Sequence, residues 1–303
     1  MRFNISAAKA LQRSEAAWYY QYHLGRVPKR QAPALAAGTF AHQFFELLHT
    51  GIPNDRALAR AQVWLGEHRR GLLVEGFAEQ VEKLDQESDI LLELLPHWQD
   101  RFEFTTLQVE QELEAPLPSG SHILYGTPDR VALWQDKLWH VQNRTLSSST
   151  PMGPYLKAAQ LDLHELGYAW LINNSSSCMC EEWSNYPYGG TLFNIVRKLK
   201  LTGAKGKPLH HPEECFIQEF LPVNPKLVRT ALEELERLGN RMVKILQEEP
   251  EPNFQGRICP AHCTLGKYGN SLCGYFPVCS GQTTIEDDTL YEDAKPREGA
   301  HAL

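Results

Sequence analysis

Residues 123–146 read ILYGTPDRVALWQDKLWHVQNRTL. Two runs rich in branched and aromatic residues flank Asp136 and Lys137, the pattern of two strands joined by a tight turn. Pairing about that turn sets Asp129 nearly opposite Gln142 in the triplet Gln142-Asn143-Arg144. Strand side chains alternate with period two, so Gln142 and Arg144 share a face. Polar groups on adjacent strands amid apolar neighbours are costly unless they bind something. A solvent-facing polar edge of a hairpin is the other reading of the same spacing.

Outward from this hairpin the periodicity changes. Before it, 107–117 alternates as a strand, and 55–104 is an acidic helical region. Further upstream, helical spacing over 7–24 follows a Ser6 N-cap, and Gly38-Thr39 opens a second helix over 40–50. Downstream the pattern gives a helix over 155–172, strands over 190–196 and 216–223, and a strong helix over 224–247. Helix, strand meander, helix and further strands make an α/β or α+β arrangement with one core and helical insertions.

The ordered motifs resemble a known family. Gly126-Thr127-Pro128-Asp129-Arg130-Val131 followed by Val141-Gln142-Asn143-Arg144-Thr145 is similar to the core of PD-(D/E)XK nucleases, in which an aspartate precedes a (D/E)-x-K triplet. The branch it resembles is the RecB-like one, which includes phage recombination exonucleases and CRISPR-associated exonucleases. Gly38-Thr39-Phe40-Ala41-His42 with Glu46 resembles that branch's histidine helix, and Arg13 to Tyr22 its opening segment, with Ser14 where the family has cysteine. The resemblance implies a restriction-endonuclease-like fold over 1–281, a mixed central sheet flanked by helices, with a helical insertion at about 55–104 and a cysteine-bearing segment at 257–281.

It also implies chemistry. Phosphodiester hydrolysis needs a divalent cation that polarises the phosphate and yields hydroxide near neutral pH. Mg²⁺ or Mn²⁺ takes oxygen ligands, which Asp129 and Gln142 offer, and His42 matches the family's histidine ligand. Arg144 takes the place of the family's lysine; it keeps the charge but does not release a proton. Gln142 is a neutral amide where the family has an acid, so either Glu46 or Glu110 lends a carboxylate or the site grips DNA without cutting it. Gln160, His164 and Tyr168 fall in steps of four on the 155–172 helix, which resembles the family's Q-x-x-x-Y helix that contacts substrate or orients the catalytic strand.

The 303 residues carry a formal net charge of −7, which argues against indiscriminate coating of nucleic acid. The charge is uneven. Arg197, Lys198, Lys200, Lys205 and Lys207 lie in an acid-free run that suits phosphate contacts, or simply a solvated loop. Cys259, Cys263, Cys273 and Cys279 are spaced C-x3-C-x9-C-x5-C. In an intracellular protein such a cluster reads as a metal site, and the resemblance adds a [4Fe–4S] cluster, with Zn²⁺ and no metal as alternatives. Residues 282–303 are acidic and poor in large apolar side chains, the composition of a disordered tail. No signal peptide or spanning helix is visible, so the expected compartment is the cytoplasm. Two functions compete: a DNA exonuclease of recombination, repair or phage DNA processing, and a non-cleaving DNA-binding module, either one working with a helicase or recombination partner.

Overall fold

The computed structural model describes residues 1–29, 32–175, 183, 185–203, 207–248, 254 and 274–294. In chain order it forms β1 (Arg2–Asn4), α1 (Ile5–Arg13), α2 (Glu15–Trp18), β2 (Arg26–Pro28), α3 (Pro33–His49), α4 (Asn54–Val74) and α5 (Ala78–Leu94). Strands β3 (Thr105–Val109), β4 (Leu113–Pro116), β5 (Ile123–Gly126), β6 (Arg130–Trp134) and β7 (Lys137–Ser147) follow. The chain then gives α6 (Met152–Ala159), α7 (Leu163–Asn174), β8 (Tyr188–Lys198), β9 (Phe216–Pro222), α8 (Pro225–Glu248), α9 (Phe276–Cys279) and β10 (Tyr291–Asp293). It divides into two compact units, one of 32–115 and 125–229, the other of 1–31, 116–124 and 230–303.

The larger unit is built on a five-stranded sheet in the order β3-β6-β7-β8-β9. Strands β7 and β8 are parallel and every other neighbour is antiparallel. A parallel pair cannot be joined by a hairpin. Helices α6 and α7 supply the crossover, which makes the sheet mixed and helix-flanked as expected. The β6–β7 hairpin turns at Gln135 and Asp136, not at Asp136 and Lys137: Lys137 already pairs with Trp134. Both turn residues have positive φ, 51° and 54°, the twist that two-residue hairpin loops require.

Helix α3 starts at Pro33, earlier than the motif suggested, because proline at the first helical position loses no hydrogen bond. Its Phe40, Phe44 and Phe45 are at most 1% exposed and pack with Leu84, Leu91 and Leu94 of α5. Each such side chain contributes about 1.5–3 kcal/mol. This cluster anchors α3 against α4 and α5. The helix expected over 155–172 is broken: the Asp162 carboxylate accepts the His164 N–H at 2.9 Å and starts α7 afresh. Gln160, left exposed outside both helices, is therefore out of step with His164 and Tyr168.

In the smaller unit Asn4, two residues before the expected Ser6, caps α1 by accepting the Ala7 N–H at 2.6 Å. Ser14 caps α2 by accepting the Ala17 N–H at 3.2 Å. Along α8, Leu232, Leu235, Leu238, Met242 and Ile245 are buried at helical spacing. The acidic tail departs from expectation: Tyr291 to Asp293 pair with Pro28 to Arg26 of β2. Arg26 draws the acids in, with Asp288 at 2.7 Å and Asp293 at 3.0 Å, and Tyr291 is buried parallel to Tyr275. Residues 295–303 lie outside the described residues. No described helix is long and apolar enough to cross a membrane.

Candidate metal centre

Asp129 stands in the loop between β5 and β6, and two contacts fix that loop. A Cβ on Gly126 would fall 3.0 Å from the Tyr168 ring, so glycine there lets α7 approach. The Tyr168 hydroxyl then donates to the Thr127 carbonyl at 2.7 Å. Asp129 Oδ2 in turn accepts the backbone N–H of Asn143 at 2.9 Å. Tyr168 thus supports the loop that presents Asp129.

Glu110 follows β3 with φ at 47°, a left-handed conformation that is uncommon for any side chain but glycine. Its own N–H donates to the Asp129 carbonyl at 3.3 Å. Its carboxylate lies 3.0 Å from His42 Nε2, while Asp129 Oδ2 lies 3.7 Å from His42 Nδ1. His42, Glu110 and Asp129 each offer a ligand atom, all within 4.8 Å of one another. Among the described residues this is the one such group. One imidazole and two carboxylates suit a divalent cation of the Mg²⁺ or Mn²⁺ kind, the imidazole adding some preference for transition metals.

The electrostatics agree. Burial lowers the His42 pKa, but the Glu110 hydrogen bond and the charges of Asp129 and Glu46 outweigh it and hold it at about 9. Burial pushes the Glu110 carboxyl up against the pull of His42. Glu110 makes direct contact with His42, whereas Glu46 pairs with Gln43 at 3.4 Å and acts on His42 through charge. The strand end and its left-handed kink, invisible in composition, aim Glu110.

Gln142 belongs to a different cluster. It is 1% exposed, and its amide lies 3.2 Å from His164 Nδ1 on α7. Asn143, on the opposite face of β7, faces α3 instead. His164 also contacts Glu165 at 3.2 Å, Thr191 donates to Glu165 at 3.0 Å, and His140 lies 3.6 Å from the same carboxylate. Despite burial, these partners hold the Glu165 carboxyl well below its ordinary range, whereas burial lowers His164. Tyr168 packs its ring on both histidines. Arg144 is half-buried beside Tyr155, whose hydroxyl it hydrogen-bonds. A cavity of about 270 Å³ takes Glu165 and Thr191 from this cluster and none of His42, Glu110 or Asp129.

The basic run divides. Lys198, 10% exposed, is ion-paired with Glu87, and Arg197 donates to the Ser148 carbonyl at 3.1 Å. Lys200 and Lys207 are exposed, and Lys205 lies outside the described residues. Cys279 is buried in α9; Cys259, Cys263 and Cys273 lie outside the described residues. No curated protein matches the chain. The model of one family, the PD-(D/E)XK nuclease superfamily, matches residues 2–279. That span is nearly the whole sequence and includes the His42, Glu110 and Asp129 cluster, and the chain belongs to this nuclease superfamily.

Proposed function

We propose that the protein is a metal-dependent DNA nuclease of the RecB-like branch, an exonuclease acting in recombination, repair or phage DNA processing. The observation that carries this reading is the convergence of His42, Glu110 and Asp129. These three hold Mg²⁺ or Mn²⁺, with Glu110 supplying the carboxylate that Gln142 lacks. When bound, the cation polarises the scissile phosphate and lowers the pKa of water. Arg144 grips the non-bridging phosphate oxygens and offsets the charge that builds on them. Gln142 and Tyr168 keep β7, α7 and the Asp129 loop in register, and the buried Gln142 carbonyl oxygen, which no donor among the described residues reaches, accepts from a water. Exposed Lys200 and Lys207, with Lys205, Arg197 and the margin residues Gln160 and His164, contact the DNA backbone.

The non-cleaving DNA-binding module remains the second reading, favoured by Gln142 and Arg144 standing where an acid and a lysine serve the family. The two separate in one assay. Labelled linear duplex and single-stranded DNA are incubated with the protein and Mg²⁺, Mn²⁺ or EDTA. Metal-dependent release of nucleotides, abolished by Asp129→Ala, supports the nuclease; binding without cleavage under every metal supports the module. Cys259, Cys263, Cys273 and Cys279 are proposed to hold a [4Fe–4S] cluster, or else Zn²⁺, that staples the C-terminal segment. A brown absorbance shoulder in anaerobically purified protein decides for the cluster, stoichiometric zinc without it for the alternative.

A further inference from the structure

Behind the metal centre six polar side chains close a ring. Arg130 Nη1 donates to His49 Nδ1 at 3.2 Å. Guanidinium only donates, so the His49 proton sits on Nε2, which donates to Asn143 Oδ1 at 3.3 Å. Asn194 Nδ2 donates to the same oxygen at 3.2 Å, and Gln218 Nε2 donates to Asn194 Oδ1 at 2.8 Å. Gln218 also donates to Asp100 at 3.1 Å, and Asp100 accepts from Arg130 at 3.4 Å. Asn143, Asn194 and Gln218 stand in register across β7, β8 and β9. Five of the six residues are at most 8% exposed; Asp100 is the exception.

Such a ring is not needed to hold a sheet together. A row of apolar side chains of similar volume would do so at no lower stability, since buried polar groups repay little more than their desolvation. What the ring adds is direction, and it meets the metal centre at three points. Arg130 is the neighbour of Asp129, Asn143 gives its N–H to the Asp129 carboxylate, and His49 lies seven residues after His42, two turns on and on the same face of α3. A turn of α3 by about 10° would carry a ring nitrogen ~6 Å from the axis through about 1 Å, enough to spoil metal ligation.

We propose that His49, Arg130 and Asn143 are positioning residues that lock the rotation of α3 against the β6–β7 hairpin and so set the spacing of His42 from Asp129. The inference rests on the reading of His42, Glu110 and Asp129 as a divalent-cation site. The full chain, stripped with EDTA and titrated calorimetrically with Mn²⁺, tests it. His49→Phe keeps a ring but loses both bonds; His49→Gln keeps an acceptor and a donor at nearly the imidazole spacing. The expected result is a 10–100-fold weaker Mn²⁺ affinity for His49→Phe and an affinity within about threefold of the parent for His49→Gln, with both folded by circular dichroism.

A merely structural role would lower the melting temperature and leave affinity unchanged, and parent-like affinity in folded His49→Phe overturns the inference. Equal weakening in both variants overturns it too, because the bonds would then not matter. If His49→Phe does not fold, Asn194→Val, which breaks the ring on the neighbouring strand without touching α3 or Asp129, decides by the same criterion. A parent protein that binds no Mn²⁺ removes the site reading itself, a failure distinct from the ring's.

Discussion

The backbone N–H of Asn143 donates to Asp129 Oδ2 at 2.9 Å, so the carboxylate is held by main chain of the residue between Gln142 and Arg144. Main-chain support is indifferent to the side chains on either side. Asp129 is therefore held whatever side chains stand at positions 142 and 144. A second carboxylate, that of Glu110 at the end of β3, faces His42 from the sheet's edge.

Asp129→Asn separates charge from shape. The amide retains an oxygen to accept the Asn143 N–H, so the fold should survive with a melting temperature within a few degrees of the parent. The anion is lost, and Mn²⁺ affinity should fall by at least about 100-fold, as expected when a ligating charge is removed. The His42 pKa should also drop below about 9, because Asp129 is among the groups that raise it. Calorimetry reads the first effect and histidine-resolved NMR titration the second; an unchanged His42 titration would show that the two side chains do not share a field.

Metal binding should be linked to pH through His42. Its pKa in the metal-free protein is about 9, so near neutrality a cation must displace a proton from the ring. Mn²⁺ affinity should rise by up to about tenfold per pH unit from pH 7 towards 9 and then level off. Stability runs the other way. A folded pKa above the ordinary 6.5 gives stability that is complete below 6.5 and is lost as pH rises through about 9. EDTA-treated protein should therefore unfold more readily at pH 9 than at pH 6.5, and saturating Mn²⁺ should remove much of the difference.

The hairpin was legible because strand alternation and the Asp129–Gln142 pairing follow from period two alone; the β6–β7 register confirms the pairing to within one residue of the turn. His42 and Asp129 were legible through motif order. Glu110 was visible only as one of two acids, since its aim depends on a backbone kink at φ 47° that no composition announces. The break before α7 turned on a single side chain, Asp162, whose capping bond outweighs a continuous helical pattern. The tail misled for a related reason: its acids look disordering until Arg26, more than 250 residues away in sequence, supplies their partner. His49 gave no signal at all, for an apolar helix face with one histidine reads as ordinary core.

That histidine should govern acid stability. Burial first, and then the Arg130 charge, hold the His49 pKa at about 3. A folded pKa below the ordinary 6.5 means that the unfolded chain takes up the proton first. Its contribution is complete above 6.5 and drains away as pH falls towards about 3, reaching a few kcal/mol. His49→Gln does not titrate, so its stability deficit relative to the parent in denaturant unfolding should be largest at pH 7 and shrink by pH 4.5. A constant deficit across that range would mean that His49 is protonated in the folded protein.

The β8–β9 edge supplies a test independent of metal. Gly190 has φ at 140°, and a Cβ built there would stand 2.1 Å from the Leu221 carbonyl oxygen and 2.9 Å from Pro222 Cα, both backbone atoms that cannot swing aside. Gly190 pairs with Pro222 and continues into the row that carries Asn194, so relief would require β9 to shift. Gly190→Ala should cost more than about 3 kcal/mol, combining a forbidden backbone region with a clash. Gly153, inside α6 with open space where its Cβ would point, is the control: alanine there should raise stability by about 0.5–1 kcal/mol through helix propensity. Denaturant midpoints measure both. If Gly190→Ala unfolds at the parent's midpoint, β8 and β9 do not run in the register that lines up Asn143, Asn194 and Gln218, and the ring behind the metal centre loses its frame.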